Sequence, residues 1–226
     1  MMRRGLEDNE IFGVLGTGRF GLAVAEELLA RKKNVIAVDN NPLRLRPLSN
    51  TDAEVYVIND ISFESLQETG LGECSTVIVG IGKDVENSIL AALNLIELGV
   101  KHVICKVISE DHAKIVRKIG AEVIFPEIEI GKRTAIKLCE KLAEDVLPLS
   151  DEFSIMQMRT PSSLDLQSVR EIRLRERYGI TLIAVIRNGK AYGSIGPDTV
   201  LHTEEIMVLS GSNDDLEKFQ KHVNPS

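Results

Sequence analysis

Gly16-Thr17-Gly18-Arg19-Phe20-Gly21 is the stretch whose residue types and spacing could bind a phosphate. In such a turn the first glycine lets the chain reverse tightly. The second lacks a Cβ, so a phosphate can approach the backbone, and the third lets the next helix pack closely on its sheet. A helix starting there offers unpaired N–H groups and the positive end of its dipole to phosphate oxygens. Arg19, inside the turn, adds a guanidinium whose fork matches those oxygens. Asp39 stands roughly 20 residues further on, where a carboxylate accepts the hydroxyl hydrogens of a ribose. Asn40 adjoins it. The same carboxylate repels a 2′-phosphate. The chemistry is therefore that of an adenine nucleotide site, for ATP or ADP or for NAD or NADH, and less for NADP.

The elements that must position these groups are legible as short apolar runs. Ile11–Leu15 precedes the glycine turn and Val35–Val38 precedes Asp39; Glu54–Ile58, Thr76–Val79, His102–Val107 and Glu122–Phe125 follow. Most are rich in Val and Ile and bounded by Gly, Asn or Asp, as buried parallel strands are. Helical spacing fills the gaps, at Leu22–Leu29, at Ile89–Leu98 before Gly99, and from a capping Asp111 through Ile119 before Gly120. This alternation predicts an α/β, Rossmann-like doubly wound parallel sheet. Gly131–Val146 reads as one further helix, and Pro148-Leu149-Ser150-Asp151 reads as a boundary. The expected domains are 1–147, which binds nucleotide, and 148–226, a small α+β domain. In the latter, Phe153–Met158, Thr181–Arg187 and Ile206–Leu209 read as strands, Asn188-Gly189 as a hairpin turn, and Val169–Arg177 and Asp214–Val223 as helices.

Ligands of such sheets sit beyond the carboxyl ends of the strands. Asn59-Asp60 ends the third strand and serves either the pocket or a turn. Gly80-Ile81-Gly82 ends the fourth, where small residues leave room for an adenine or a ribose. Lys106 ends the fifth, as a pocket cation or a solvated edge charge. Glu127 and Glu129 follow the sixth strand; spacing alone makes them a loop acid and a helix-start acid.

Composition narrows the function classes. The 226 residues carry a formal net charge of −7, and Arg170, Arg173, Arg175 and Arg177 are interleaved with Glu171 and Glu176, so no nucleic-acid partner is expected. Three cysteines, with no CxxC pair, fit a reducing cytoplasm. Arg3-Arg4 is followed by acids rather than by the apolar core of an export signal, and no apolar run approaches the ~20 residues that span a bilayer. The expectation is a cytoplasmic protein. No P-loop, GxSxG turn or HExxH is present, and none of His102, His112, His202 and His222 stands in a catalytic context. A binding protein, not an enzyme, is expected. The alternative, a small NAD-dependent oxidoreductase, shares the turn and the acid but needs an acid–base group beside the nicotinamide.

With these residues in hand, the chain resembles the TrkA/KtrA-type RCK family. The resemblance is carried by the glycine turn, Val35-Ile36-Ala37-Val38-Asp39, Val77–Gly82, Lys118-Ile119-Gly120-Ala121-Glu122, and Pro126-Glu127 with Gly131; in the C-terminal part it is carried by Leu149–Ile155 and Arg175-Glu176-Arg177-Tyr178-Gly179. It implies a regulatory subunit that binds ATP, ADP or NAD(H) and controls a membrane-embedded potassium-translocating subunit. It also implies a homo-oligomer of dimers built into an octameric ring beneath the inner face of the membrane. Arg19 would approach the phosphates, Asp39 would hold the ribose, and Glu127 would bind a divalent cation, Mg²⁺ or Ca²⁺, near them. Some members bind cyclic di-AMP between C-terminal domains; the matching stretch, Val169–Tyr178 with Arg175, departs at Arg173 and at Ile195-Gly196-Pro197, so that ligand is left out of the site.

Overall fold

A computed structural model describes residues 10–139 and 143–223. The N-terminal start up to residue 9, basic and then acidic, and residues 140–142 of the expected long helix lie outside them. By contact, the chain divides into two units after Pro126.

The first unit is one parallel sheet with strands β1 (Ile11–Leu15), β2 (Asn34–Asp39), β3 (Glu54–Val57), β4 (Thr76–Val79), β5 (His102–Lys106) and β6 (Glu122–Ile124). Their order is β3-β2-β1-β4-β5-β6. From the central pair β1 and β4 the chain winds outward in opposite directions, which makes their carboxyl ends the switch point where such sheets bind ligands. The connecting helices are α1 (Arg19–Ala30), α2 (Pro42–Leu45), α3 (Phe63–Glu68), α4 (Val85–Glu97) and α5 (Glu110–Lys118). The period of two in β2 feeds both faces of the sheet. Ile36 and Val38 join Leu15, Val77 and Val79 on one side, while Val35 and Ala37 meet Val14, Ala25, Leu45 and Leu48 on the other. Cys74 and Cys105 are buried, and burial pushes each thiol up to about 12, so both are inert core residues. The N-cap of α5 is Ser109, whose hydroxyl accepts from the His112 N–H at 3.2 Å. Asp111, the expected cap, instead lies in the first turn, where its charge suits the helix dipole.

The second unit begins with α6 (Pro126–Cys139), followed by β7 (Ala143–Pro148), β8 (Phe153–Arg159), α7 (Val169–Ile172), α8 (Leu174–Tyr178), β9 (Thr181–Arg187), β10 (Lys190–Tyr192), β11 (Ile206–Ser212) and α9 (Asn213–Val223). The antiparallel sheet order is β10-β9-β11-β8-β7. Met156, Met158, Met207 and Leu209 pack from it against Leu174, Leu216 and Phe219. The expected hairpin forms, with Asn188 at φ 49° and Gly189 at φ 74° joining β9 to β10.

Two elements correct the sequence reading. Residues 143–148 are a strand, not the end of a helix, because their backbone pairs with β8 from Ala143↔Met158 to Pro148↔Ser154. That pairing places β7 with the second sheet, whereas the sequence reading drew the boundary after residue 147. The helix expected over Val169–Arg177 is broken at Arg173, which is left-handed at φ 55°. In a continuous helix residues 172 and 174 would point to opposite sides; the break lets Ile172 and Leu174 both be buried.

Among the buried polar groups is an imidazole. His112 is buried in α5, and neither ring nitrogen has a hydrogen-bond partner among the described residues. Burial holds its pKa below the ordinary value of 6.5. The unfolded chain therefore takes up this proton first as pH falls, so the stability present above about pH 6.5 is lost progressively below it. His112→Leu is expected to remove that loss, read as urea unfolding free energies at neutral and mildly acidic pH.

Candidate functional site

The glycine turn is built around one carbonyl. Gly16 sits at φ +92°, and its N–H donates to the Val38 carbonyl at 2.7 Å. The Gly80 N–H donates to the Leu15 carbonyl, also at 2.7 Å, so the ends of β1, β2 and β4 are laced together. A Cβ on Gly21 would lie 2.1 Å from the Gly16 oxygen, and one on Gly80 would lie 2.5 Å from it. Gly18 differs: a Cβ there would meet nothing within 4 Å. It is the N-cap of α1, with no side-chain cap and no acid in the first turn. The leading N–H groups of a 12-residue helix are thus left for an anion.

Asp39 closes the site from the side of β2. Its side chain is 2 % exposed. Oδ2 accepts from the Thr17 N–H at 2.7 Å and from the Thr17 hydroxyl at 3.2 Å, while Oδ1 accepts from the Asn41 N–H at 2.9 Å. The carboxylate therefore pins the glycine turn to the end of β2.

These groups border a cleft of about 890 Å³ at the carboxyl ends of the first four strands. Gly16, Gly18, Arg19, Asp39 and Asn40 line it, and so do Asn59, Asp60, Gly80 and Gly82. Arg19 is exposed at the start of α1. Asp60 is fixed by its neighbours: Oδ1 accepts from the Ser62 N–H at 3.0 Å, the Ser62 hydroxyl at 2.6 Å and the Ser65 hydroxyl at 2.7 Å. Those bonds hold its carboxyl down at about 2.

The other expected residues do not line the cleft. Thr17 is buried behind it and Gly21 packs under the turn. The Lys106 ammonium lies 5.9 Å from the centre of the Phe20 ring and flanks Gly82. Glu127 stands in the first turn of α6, in the second unit. Among the described residues, no group of three His, Cys, Asp or Glu side chains is placed to hold a metal.

Sequence reasoning passed over Arg44, Ile58 and Ile61, which line the cleft with Ile81. The isoleucines supply apolar wall for a flat base. Arg44 Nη1 lies 3.4 Å from Asp39 Oδ1. Its signal was the Asn41-Pro42 pair: Asn41 caps α2, accepting from the Leu43 N–H at 3.0 Å, with Pro42 at the first helical position. That start turns the chain back so that Arg44 faces the strand end.

The TrkA-N domain family matches residues 12–127, and the TrkA-C domain family matches residues 155–224. The chain belongs to the TrkA/Ktr family. It is 33% identical over 214 residues to the Ktr system potassium uptake protein C of Bacillus subtilis, covering 94% of this chain and 96% of that one. To the Ktr system potassium uptake protein A of the same organism it is 30% identical over 213 residues, again covering 94% and 96%. The fold of this TrkA/Ktr chain also matches the GsuK channel bound to NAD, with a TM-score of 0.66 at 16% identity. That match covers 99% of this chain but only 41% of the channel's.

The glycines separate packing from binding. Gly18→Ala is expected to leave the melting temperature unchanged or slightly raised while weakening phosphate-bearing ligands at least ten-fold. Gly21→Ala must displace backbone and is expected to destabilise the fold by about 1–3 kcal/mol. Thermal melts with and without ADP distinguish the two. Independently, an NMR titration of the Asp60 carboxyl is expected to show a midpoint near 2, rising toward the ordinary carboxylate range in the Ser62→Ala, Ser65→Ala double variant.

Proposed function

We propose that this chain is a nucleotide-sensing regulatory subunit of a potassium transporter or channel, a binding protein and not an enzyme. It works in the cytoplasm, at the inner face of the membrane, through a membrane-embedded translocating partner. Among the described residues no helix is long and apolar enough to cross a bilayer, which leaves translocation to that partner. The two Bacillus subtilis relatives, each covering 94% of this chain, are potassium uptake proteins. The observation that carries the ligand reading is the convergence of an uncapped helix N-terminus, an open Gly18 and a buried Asp39 on one cleft.

A ligand shifts a conformational equilibrium only through contacts that differ between states, and two ligands act differently only through contacts they do not share. ADP and ATP share the ribose at Asp39 and the first phosphates at Gly18. They differ at the outer phosphate, and Arg19, exposed at the start of α1, is the cation assigned to meet it. Homo-oligomerisation into a ring, of octameric size by the family resemblance, would carry that difference to the partner. Glu127 as a ligand for Mg²⁺ or Ca²⁺ belongs to the same proposal; the Glu127→Gln variant is the control for any cation effect on ATP binding.

ATP and ADP are each expected to raise the melting temperature, by different amounts, since a ligand at 100 times its Kd stabilises by about 2.7 kcal/mol. Arg19→Gln is expected to bring the two shifts together. Absence of any shift, or equal shifts in the unaltered protein, would overturn the reading. In cells lacking the chain, uptake at limiting potassium is expected to fall and to be restored by the wild type but not by Gly18→Ala.

A further inference from the structure

A carboxylate offers about four acceptor positions, and the chain itself fills all four on Asp39. Two are taken on Oδ2 by the N–H and hydroxyl of Thr17, and two on Oδ1 by the Asn41 N–H and by Arg44. A ribose that binds Asp39 through its hydroxyls must therefore displace a resident donor. Three of the four are ill placed to leave. The Thr17 and Asn41 N–H groups are fixed by the glycine turn and by the start of α2, and the Thr17 hydroxyl belongs to a residue only 2 % exposed. Arg44 is different in each respect. Its side chain is 53 % exposed, its contact is the longest of the four at 3.4 Å, and it lines the cleft. A long arginine stem lets the guanidinium swing into water at little cost.

On the nucleotide reading of the cleft, we propose that Arg44 competes with a ribose hydroxyl for one lone pair of Asp39 Oδ1 and so sets the affinity for the sugar. The guanidinium is a resident counter-ion that the ligand must dislodge. This reverses the ordinary sign of an arginine beside an anionic ligand: loss of Arg44 tightens binding although a positive charge is removed.

The test is calorimetric titration of the full-length protein with ADP and with 2′,3′-dideoxy-ADP, which carries the same base and phosphates but no ribose hydroxyls. Arg44→Gln is expected to bind ADP about three-fold tighter, the scale of one exposed ion pair. Dideoxy-ADP is expected to bind no tighter than to the wild type. Arg46→Gln, the same charge change at a residue outside the cleft, is expected to leave both affinities unchanged. Arg44→Met, which keeps an apolar stem, is the second variant should the glutamine fail to fold. ADP binding that is unchanged or weaker in both Arg44 variants would overturn the competition and leave the nucleotide site standing. No ADP binding to any form would overturn the nucleotide reading and the competition together.

Discussion

A single buried carboxylate holds the candidate site together. Asp39 ends β2, yet two of its hydrogen bonds go back to Thr17, inside the turn that ends β1. The sheet alone brings the two strand ends side by side. The turn, however, has no regular structure to fix it, and a loop whose backbone must face a ligand cannot satisfy its own N–H groups internally. Asp39 supplies the missing acceptor from the neighbouring strand. The site's shape is thus a tertiary property, dependent on the pairing of β1 with β2.

Steric constraint completes what the carboxylate begins. Gly21 of α1 and Gly80 after β4 both press on the Gly16 carbonyl, at distances no side chain would permit. Helix, turn and the neighbouring strand end therefore meet at one oxygen. Gly18, between them, is spared that crowding. The three glycines of the turn thus carry different duties: Gly16 adopts the left-handed backbone, Gly21 permits close packing, and Gly18 leaves clear space in front of the uncapped amides.

The first unit was legible because its signals are local. Short apolar runs, most of them rich in Val and Ile and several ended by Gly, Asn or Asp, locate all six strands, and the glycine turn locates α1. Nine of the fourteen expected site residues line the cleft, because each was placed by the end of a strand. What escaped depends on partners distant in sequence. Residues 143–148 look helical when Val146 is read with Leu138 and Leu142, and only β8 makes them a strand. The break at Arg173 follows from burying both Ile172 and Leu174. Arg44 was overlooked since its importance comes from contact with Asp39, not from any motif of its own.

Asp60, exposed at the edge of the cleft, adds a consequence. With Ser62 and Ser65 gripping one oxygen, this acid stays anionic at any acidity a living cell reaches. Mild acidification therefore leaves the charge that this group contributes to the cleft unchanged.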